Sequence, residues 1–322
     1  MFGEIQRFLG SAWTDFQRCF AESLQTDIPL LDQVNQYLLA HGGKKLRPTF
    51  TLLVAQALRG RCDEQCVIDC AVATELLHTA TLVHDDVADD SAIRRGVPTV
   101  TALYSPSSAV LIGDFWLSRA VDRINEHPDR RVLKVFSKCF GDLAEGEMLQ
   151  LEKAARFDTT DADYRRIIYS KTTSFFEASM LSAAYSVGAT EQEEEMVRRY
   201  AFHIGQSFQM MDDILDYSPE LSIGKPTGQD LMEKKITLPL LCLFGKVPAD
   251  VAQRIRERMS HPDTALVDEV FSLVQRYDAL SDARSVLEAE IGQAVEAIAP
   301  VPASQAKDYL VELARMMAVR TS

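Results

Sequence analysis

Apolar residues recur every three or four positions over most of this chain, and that period restricts it to helices. Between Arg131 and Leu151, Val132, Val135, Phe136, Cys139, Phe140 and Leu143 fall on one stripe of a 3.6-residue helix. Similar stripes occupy 30–39, 49–58, 66–83, 164–186, 194–217, 235–244, 251–258, 265–276, 282–298 and 304–318. Convincing period-2 strands joined by hairpin turns are missing from the sequence. Glycine (15) and proline (12) are sparse in 322 residues, which argues against disorder and against a turn-rich all-β fold. Breaks such as Gly42-Gly43, Arg95–Pro98, Ser105–Ser108, Phe157–Asp163, Gly188–Glu191 and Pro300–Ser304 punctuate the stripes at ordinary helix lengths. With no long linker, low-complexity tract or repeat, the reading is a single all-α domain over residues 1–322, built from ten or more helices.

One stretch, Ala71–Val83, is apolar over most of its circumference, so its helix should be buried among others. Polar groups entering such a core need partners, which makes the next residues informative. LVHDDVADD places Asp85, Asp86, Asp89 and Asp90 directly after that stretch, and FQMMDDILDY places Asp212, Asp213 and Asp216 after another apolar run. Each contains D-D-x-x-D, so Asp85 and Asp89 share one helical face, as do Asp212 and Asp216. Like charges one turn apart repel. A single such cluster is ordinarily a solvated acidic face. Two of them, 127 residues apart and each in an apolar helix, point to cations that offset the repulsion. Hard oxygen ligands in an open arrangement suit Mg²⁺ that also holds phosphate.

The net charge is −13, which argues against a general nucleic-acid binder. Cations nevertheless gather locally: Lys44, Lys45 and Arg47 in HGGKKLRP, Arg94 and Arg95 in SAIRRGVPT, and Lys225 and Lys235 in GKPTGQDLMEKKITLPL. Beside glycine turns and carboxylates they suggest two anion sites flanking a metal site. The N-terminus lacks the unbroken apolar core of a signal peptide, and no apolar run approaches ~18 residues. The six cysteines form no C-x-x-C pair; Cys62, Cys66 and Cys70 make one helical stripe and read as small buried hydrophobes. A cytoplasmic protein is expected.

At these residues the chain resembles the trans-polyprenyl diphosphate synthases, from about residue 25 to 300. The resemblance runs in order through GGKKLRP, ELLHTATLVHDDVADDSAIRRG, LIGDFWLSRA, AEGEMLQL, YSKTTSFFEAS, GQSFQMMDDILDY and GKPTGQDLMEKKITLPL. It implies an orthogonal helical bundle around a central cavity, the isoprenoid synthase fold, in a homodimer. It also implies that Lys44, Arg47, His78 and Arg95 bind isopentenyl diphosphate. Arg94, Lys171, Thr172, Gln209, Lys225 and Lys235 match residues that contact the allylic diphosphate. Asp85, Asp89, Asp212 and Asp216 match ligands of about three Mg²⁺ ions per site, supported by Asp86 and Asp213. The chain departs from the family pattern at Lys234, where glycine usually stands, and in the segment after RRG, which lacks the family asparagine.

The implied reaction joins isopentenyl diphosphate to an allylic cation and releases diphosphate, with Arg94, Lys171 and Lys225 stabilising the leaving group. Small residues on the helix leading into Asp85 (Ala80 and Ala73, near Leu77) leave room for a growing chain, so a product of C25 or longer is expected. A shorter farnesyl or geranylgeranyl product, a terpene-cyclase-like activity and a non-catalytic subunit of a heteromeric synthase remain the alternatives. HGGKKLRP and Arg95 speak against a cyclase, and two intact acidic clusters speak against an inactive subunit. A long product is insoluble in water, so transient membrane contact on release is expected.

Overall fold

The computed structural model describes residues 1–218 and 227–319. Helices make up nearly all the regular structure among them, as the period requires. The chain divides into two compact units, each discontinuous in sequence: Met1–Phe136 with Ser179–Glu194 and Val301–Leu310, and Ser137–Ala178 with Glu195–Pro300 and Val311–Ser322.

The first unit is organised around the helix Gln65–Ala88, which packs against Ser11–Ser23, Leu46–Arg59 and Pro106–Asn125. Every side chain from Cys70 to Leu77 is buried, which explains a sequence apolar on all faces. By length and composition this helix could cross a membrane, although no continuous apolar run announces it. Its apolar window has a mean hydropathy of 1.5, and 67% of that window is buried in the protein, as a core helix requires. Two buried polar side chains of this core satisfy each other. The Trp116 indole donates to Asn35 Oδ1 at 2.8 Å, and the Asn35 amide donates to the Leu24 carbonyl at 2.9 Å. Leaving either group unpaired would cost ~1–3 kcal/mol.

Three features go beyond the sequence reading. The N-terminal residues form two helices, Phe2–Leu9 and Ser11–Ser23, that bury Ile5, Trp13, Phe16 and Phe20. The apparent break at Ser105–Ser108 is a helix start: Ser105 Oγ accepts the Ser108 N–H at 3.1 Å, and Pro106 occupies the first turn of Pro106–Asn125. A small hairpin also exists, correcting the expectation of no strands. Ile93–Arg94 pairs antiparallel with Val97–Pro98. Its two-residue turn, Arg95-Gly96, has positive φ at both positions (53° and 79°), the geometry that matches strand twist in tight hairpins.

A capping arrangement ties this unit together near Gly188. Thr190 donates its backbone N–H and hydroxyl to Glu193, whose carboxylate also receives both Arg59 guanidinium nitrogens at 2.7 Å. Arg59 first, with Thr190, holds the Glu193 carboxyl down at about 2, against an ordinary value of 4.5. A depressed carboxylate stabilises the fold above its unfolded value and ceases to do so as pH falls through its folded value. The stability advantage of the wild type over Glu193→Gln should therefore be full at pH 6 and vanish between pH about 4.5 and about 2. Urea unfolding across that range checks it; an advantage independent of pH would contradict the account.

In the second unit, Tyr217, Leu231, Ile236, Leu240, Leu243, Ile255, Leu266 and Val270 form one buried cluster. The stripe at 164–186 is not one regular helix. Asp161–Ile168 runs into a π-helical turn at Tyr169–Thr173, and an α-helix resumes at Ser174–Ser186. Thr160 and Asp163 form a capping box at its start. All six cysteines are free thiols. Burial pushes Cys62 and Cys70 up to about 12, so they behave as the apolar residues the sequence suggests.

Candidate active site

In the first unit the acidic cluster sits at the C-terminal end of Gln65–Ala88. Asp85 is half-buried and Asp89 exposed, one turn apart. Asp86 is buried and accepts from Arg94 Nε at 2.6 Å. Burial raises its pKa and Arg94 opposes that rise. The hairpin presents both arginines. Arg95 lies so close to Gly43 that a Cβ there would stand 2.6 Å from its Nη1, so a side chain at Gly43 would displace the guanidinium. A pocket of about 580 Å³ is lined by Gly42, Gly43, His78, Asp86, Arg94 and Arg95, among others.

Arg47 and His78 meet at 3.1 Å through Arg47 Nη1 and His78 Nε2. A guanidinium only donates, so His78 Nε2 is the acceptor and the ring is neutral. Burial, then Arg47, Arg95, Lys45 and Arg94, hold its pKa well below the ordinary value. Lys44 is exposed in the same turn. His84 packs on Gly113 and stands 3.4 Å from Asp114, so it braces the helix Pro106–Asn125. Ala73, Leu77 and Ala80 are all buried, and none lines this pocket.

In the second unit, a pocket of about 590 Å³ gathers Gln150, Tyr164, Lys171, Gln209, Asp213 and Lys235, among others. Thr172 donates to Gln209 Oε1 at 2.8 Å, and Gln209 Nε2 donates to Asp213 Oδ1 at 3.0 Å. The buried Tyr164 hydroxyl donates to Asp213 Oδ2 at 2.6 Å. Burial pushes Asp213 up to about 6, with Tyr164 and Gln209 opposing. Asp212 is half-buried. Asp216 accepts the backbone N–H of Gln229 and of Asp230, each at 3.0 Å, and so holds the start of Gln229–Met232. Lys235 pairs with Glu233. Lys225 lies outside the described residues. Lys234 adopts a left-handed backbone with φ 63°, which accounts for the glycine usual at that position.

The π-helical turn carries Lys171 and Thr172, and two glycines hold it. A Cβ on Gly146 would lie 2.6 Å from Ser170 Cβ, and one on Gly205 would lie 2.5 Å from Thr173 Cα. Lys171 Nζ rests 2.6 Å from Glu147 and 3.1 Å from Gln150 Oε1. Glu147 and Gln150, one turn apart in AEGEMLQL, thus meet the pocket's lysine, whereas Glu145 makes an exposed 3.7 Å pair with Arg166. Sequence reasoning missed Tyr164, the two glycines and Lys153, which bridges Asp158 and Asp163 at 3.3 and 2.9 Å. Only Glu147 and Gln150, three residues apart on one helical face, carried a readable signal.

The sequence model of the family described as polyprenyl synthetase matches residues 28–276. The chain belongs to that family. It is 36% identical over 313 residues to the octaprenyl diphosphate synthase of Haemophilus influenzae, covering 97% of this chain and 94% of that one. Among solved structures, a decaprenyl diphosphate synthase from Rhodobacter capsulatus superposes with a TM-score of 0.93 at 28% identity, over 100% of both chains. A polyprenyl synthase from Caulobacter crescentus, complexed with calcium and isoprenyl diphosphate, gives 0.91 at 30% identity over 100% of this chain and 98% of that one. The isoprenoid synthase fold expected from the motifs is therefore the observed one.

Proposed function

We propose that the protein is a Mg²⁺-dependent trans-prenyltransferase. It condenses isopentenyl diphosphate with an allylic prenyl diphosphate, releases diphosphate, and makes an all-trans product of C25 or longer. The observation that carries this reading is a pairing repeated in each unit. An aspartate of a D-D-x-x-D cluster shares a pocket with the cations a diphosphate needs: Asp86 with Arg94 and Arg95, and Asp213 with Lys171 and Lys235. The octaprenyl and decaprenyl names of the relatives support a long product. The calcium and isoprenyl diphosphate of the Caulobacter protein support a divalent cation and a prenyl diphosphate ligand.

The donor chemistry fits Mg²⁺, which is commonly held by a few carboxylates with substrate phosphates and water. Asp85 and Asp89 of the first cluster, and Asp212 of the second, would supply hard oxygens, and Asp216 would add what its two backbone hydrogen bonds leave free; about three ions per site is the family expectation. Bound there, Mg²⁺ supplies Lewis-acid neutralisation of the leaving diphosphate. Lys44, Arg47, neutral His78 and Arg95 orient isopentenyl diphosphate. Such positioning contributes ~7 kcal/mol or more in favourable cases. Arg94, Lys171, Lys225 and Lys235 hold the allylic diphosphate and meet the charge that builds on it. Thr172 and Gln209, locked by their mutual hydrogen bond, offer oxygen dipoles to the allylic cation. The proton lost from C2 goes to the released diphosphate, the base that the reaction itself supplies.

Radiolabelled isopentenyl diphosphate with farnesyl diphosphate tests the reading. Products of C25 or longer should appear with Mg²⁺, disappear with a chelator and return when Mg²⁺ is restored. Products no longer than C20 would refute the length, and cyclic hydrocarbon without isopentenyl incorporation would favour a cyclase. Ala80→Phe should shorten the product, with its melting temperature measured alongside because Ala80 is buried. The exposed Leu103, Val110, Leu111 and Val121 support a homodimer; a monomer mass in sedimentation would remove that part. The protein would work in the cytoplasm, meeting a membrane only as its product leaves.

A further inference from the structure

We infer that Lys45 and Glu75, neither of which matches a substrate-binding position, form a charge-cancelling strut that sets the affinity of the first unit's pocket for a diphosphate. Glu75 lines that pocket beside His78, Arg94 and Arg95, and only 5% of its side chain is exposed. A buried carboxylate there opposes any phosphate unless it is neutralised. Lys45 does this: its Nζ lies 2.9 Å from Glu75 Oε1. The same ammonium sits 4.4 Å above the centre of the buried Phe20 ring, and a Cβ on Gly42 would come within 3.1 Å of it. The lysine therefore runs beneath the glycine turn rather than outward from it.

Its backbone shows the same constraint. Lys45 is left-handed (φ 55°) at the N-cap of Leu46–Arg59. Three features thus bind the turn that carries Lys44 to the helix that carries His78: the strained backbone, the ion pair and the contact under Gly42. Neighbouring lysines take opposite tasks, Lys44 exposed and Lys45 held inward by Glu75. Both Lys45 and Glu75 are positioning residues, acting through the turn and through the pocket's net charge.

The inference rests on the proposed reaction only for the ligand used to read it. Isopentenyl diphosphate binding is measured by calorimetry, and its turnover with farnesyl diphosphate separately, for the wild type, Lys45→Met and Lys45→Met/Glu75→Gln. Methionine keeps the packing on Phe20 while leaving Glu75 uncompensated. Lys45→Met should weaken isopentenyl diphosphate binding and raise its KM ~10-fold or more, a change equivalent to ~1.4 kcal/mol, with the allylic KM within ~2-fold. The double variant should recover most of that loss, because the offending charge is gone. Equal damage in single and double variants, or none in the single, overturns the inference. Binding without any condensation would instead sink the proposed function and leave the strut standing.

Discussion

Replacing Gly205 with alanine is expected to reduce condensation activity ~10²-fold and stability by ~1–3 kcal/mol. The added methyl would stand 2.5 Å from Thr173 Cα, a backbone atom that no side-chain rotation can move away. Relief must come from shifting the π-helical turn Tyr169–Thr173. That shift carries Thr172 away from Gln209 and Lys171 away from Gln150, breaking hydrogen bonds of 2.8 and 3.1 Å. Misplacing such groups by about an ångström is costly because positioning is much of what the site contributes. Steady-state kinetics with thermal unfolding checks this. Alanine at Gly141, where a Cβ meets nothing within 4 Å, is the control in the same helix as Gly146. Full activity in Gly205→Ala would show that the turn does not place Lys171 and Thr172.

Asp85→Ala should lower kcat by ~10³-fold, since a bound cation's stabilisation of the leaving group is worth several kcal/mol and each 1.36 kcal/mol is tenfold. Its stability should fall less than that of Asp86→Ala, because Asp85 is only half-buried and its removal relieves repulsion with Asp89 one turn on. Asp86→Ala should behave differently. Asp86 is buried and bonded to Arg94 at 2.6 Å, so its loss strands a guanidinium and lowers stability as well as rate. Activity measured across a Mg²⁺ titration, beside melting temperatures for both variants, separates the two patterns. Wild-type kcat in Asp85→Ala would remove that carboxylate from the mechanism.

The helical class and both acidic clusters were legible in the sequence, because apolar period and repeated charge are local properties. Arg94's bond to Asp86 was half legible: the residues are eight apart, but the hairpin that presents Arg94 depends on Arg95 entering a left-handed backbone. Ser105–Ser108 misled for a related reason, since serine and proline serve loops and helix starts alike. Tyr164, Gly205 and the Lys45–Glu75 pair were not legible. Each acts through a contact made 30 or more residues away, and nothing in its neighbours records that contact.

A π-helical turn contains one residue more than the α-helix it interrupts. Deleting a single residue within 169–173 would let the chain wind regularly from Asp161 onward, and Lys171 and Thr172 would no longer point at the partners they now meet. Insertions and deletions, which surface loops absorb freely, would here change which residues of the turn meet Gln150 and Gln209. Homologues should therefore vary in amino-acid identity along this stretch far more readily than in its length.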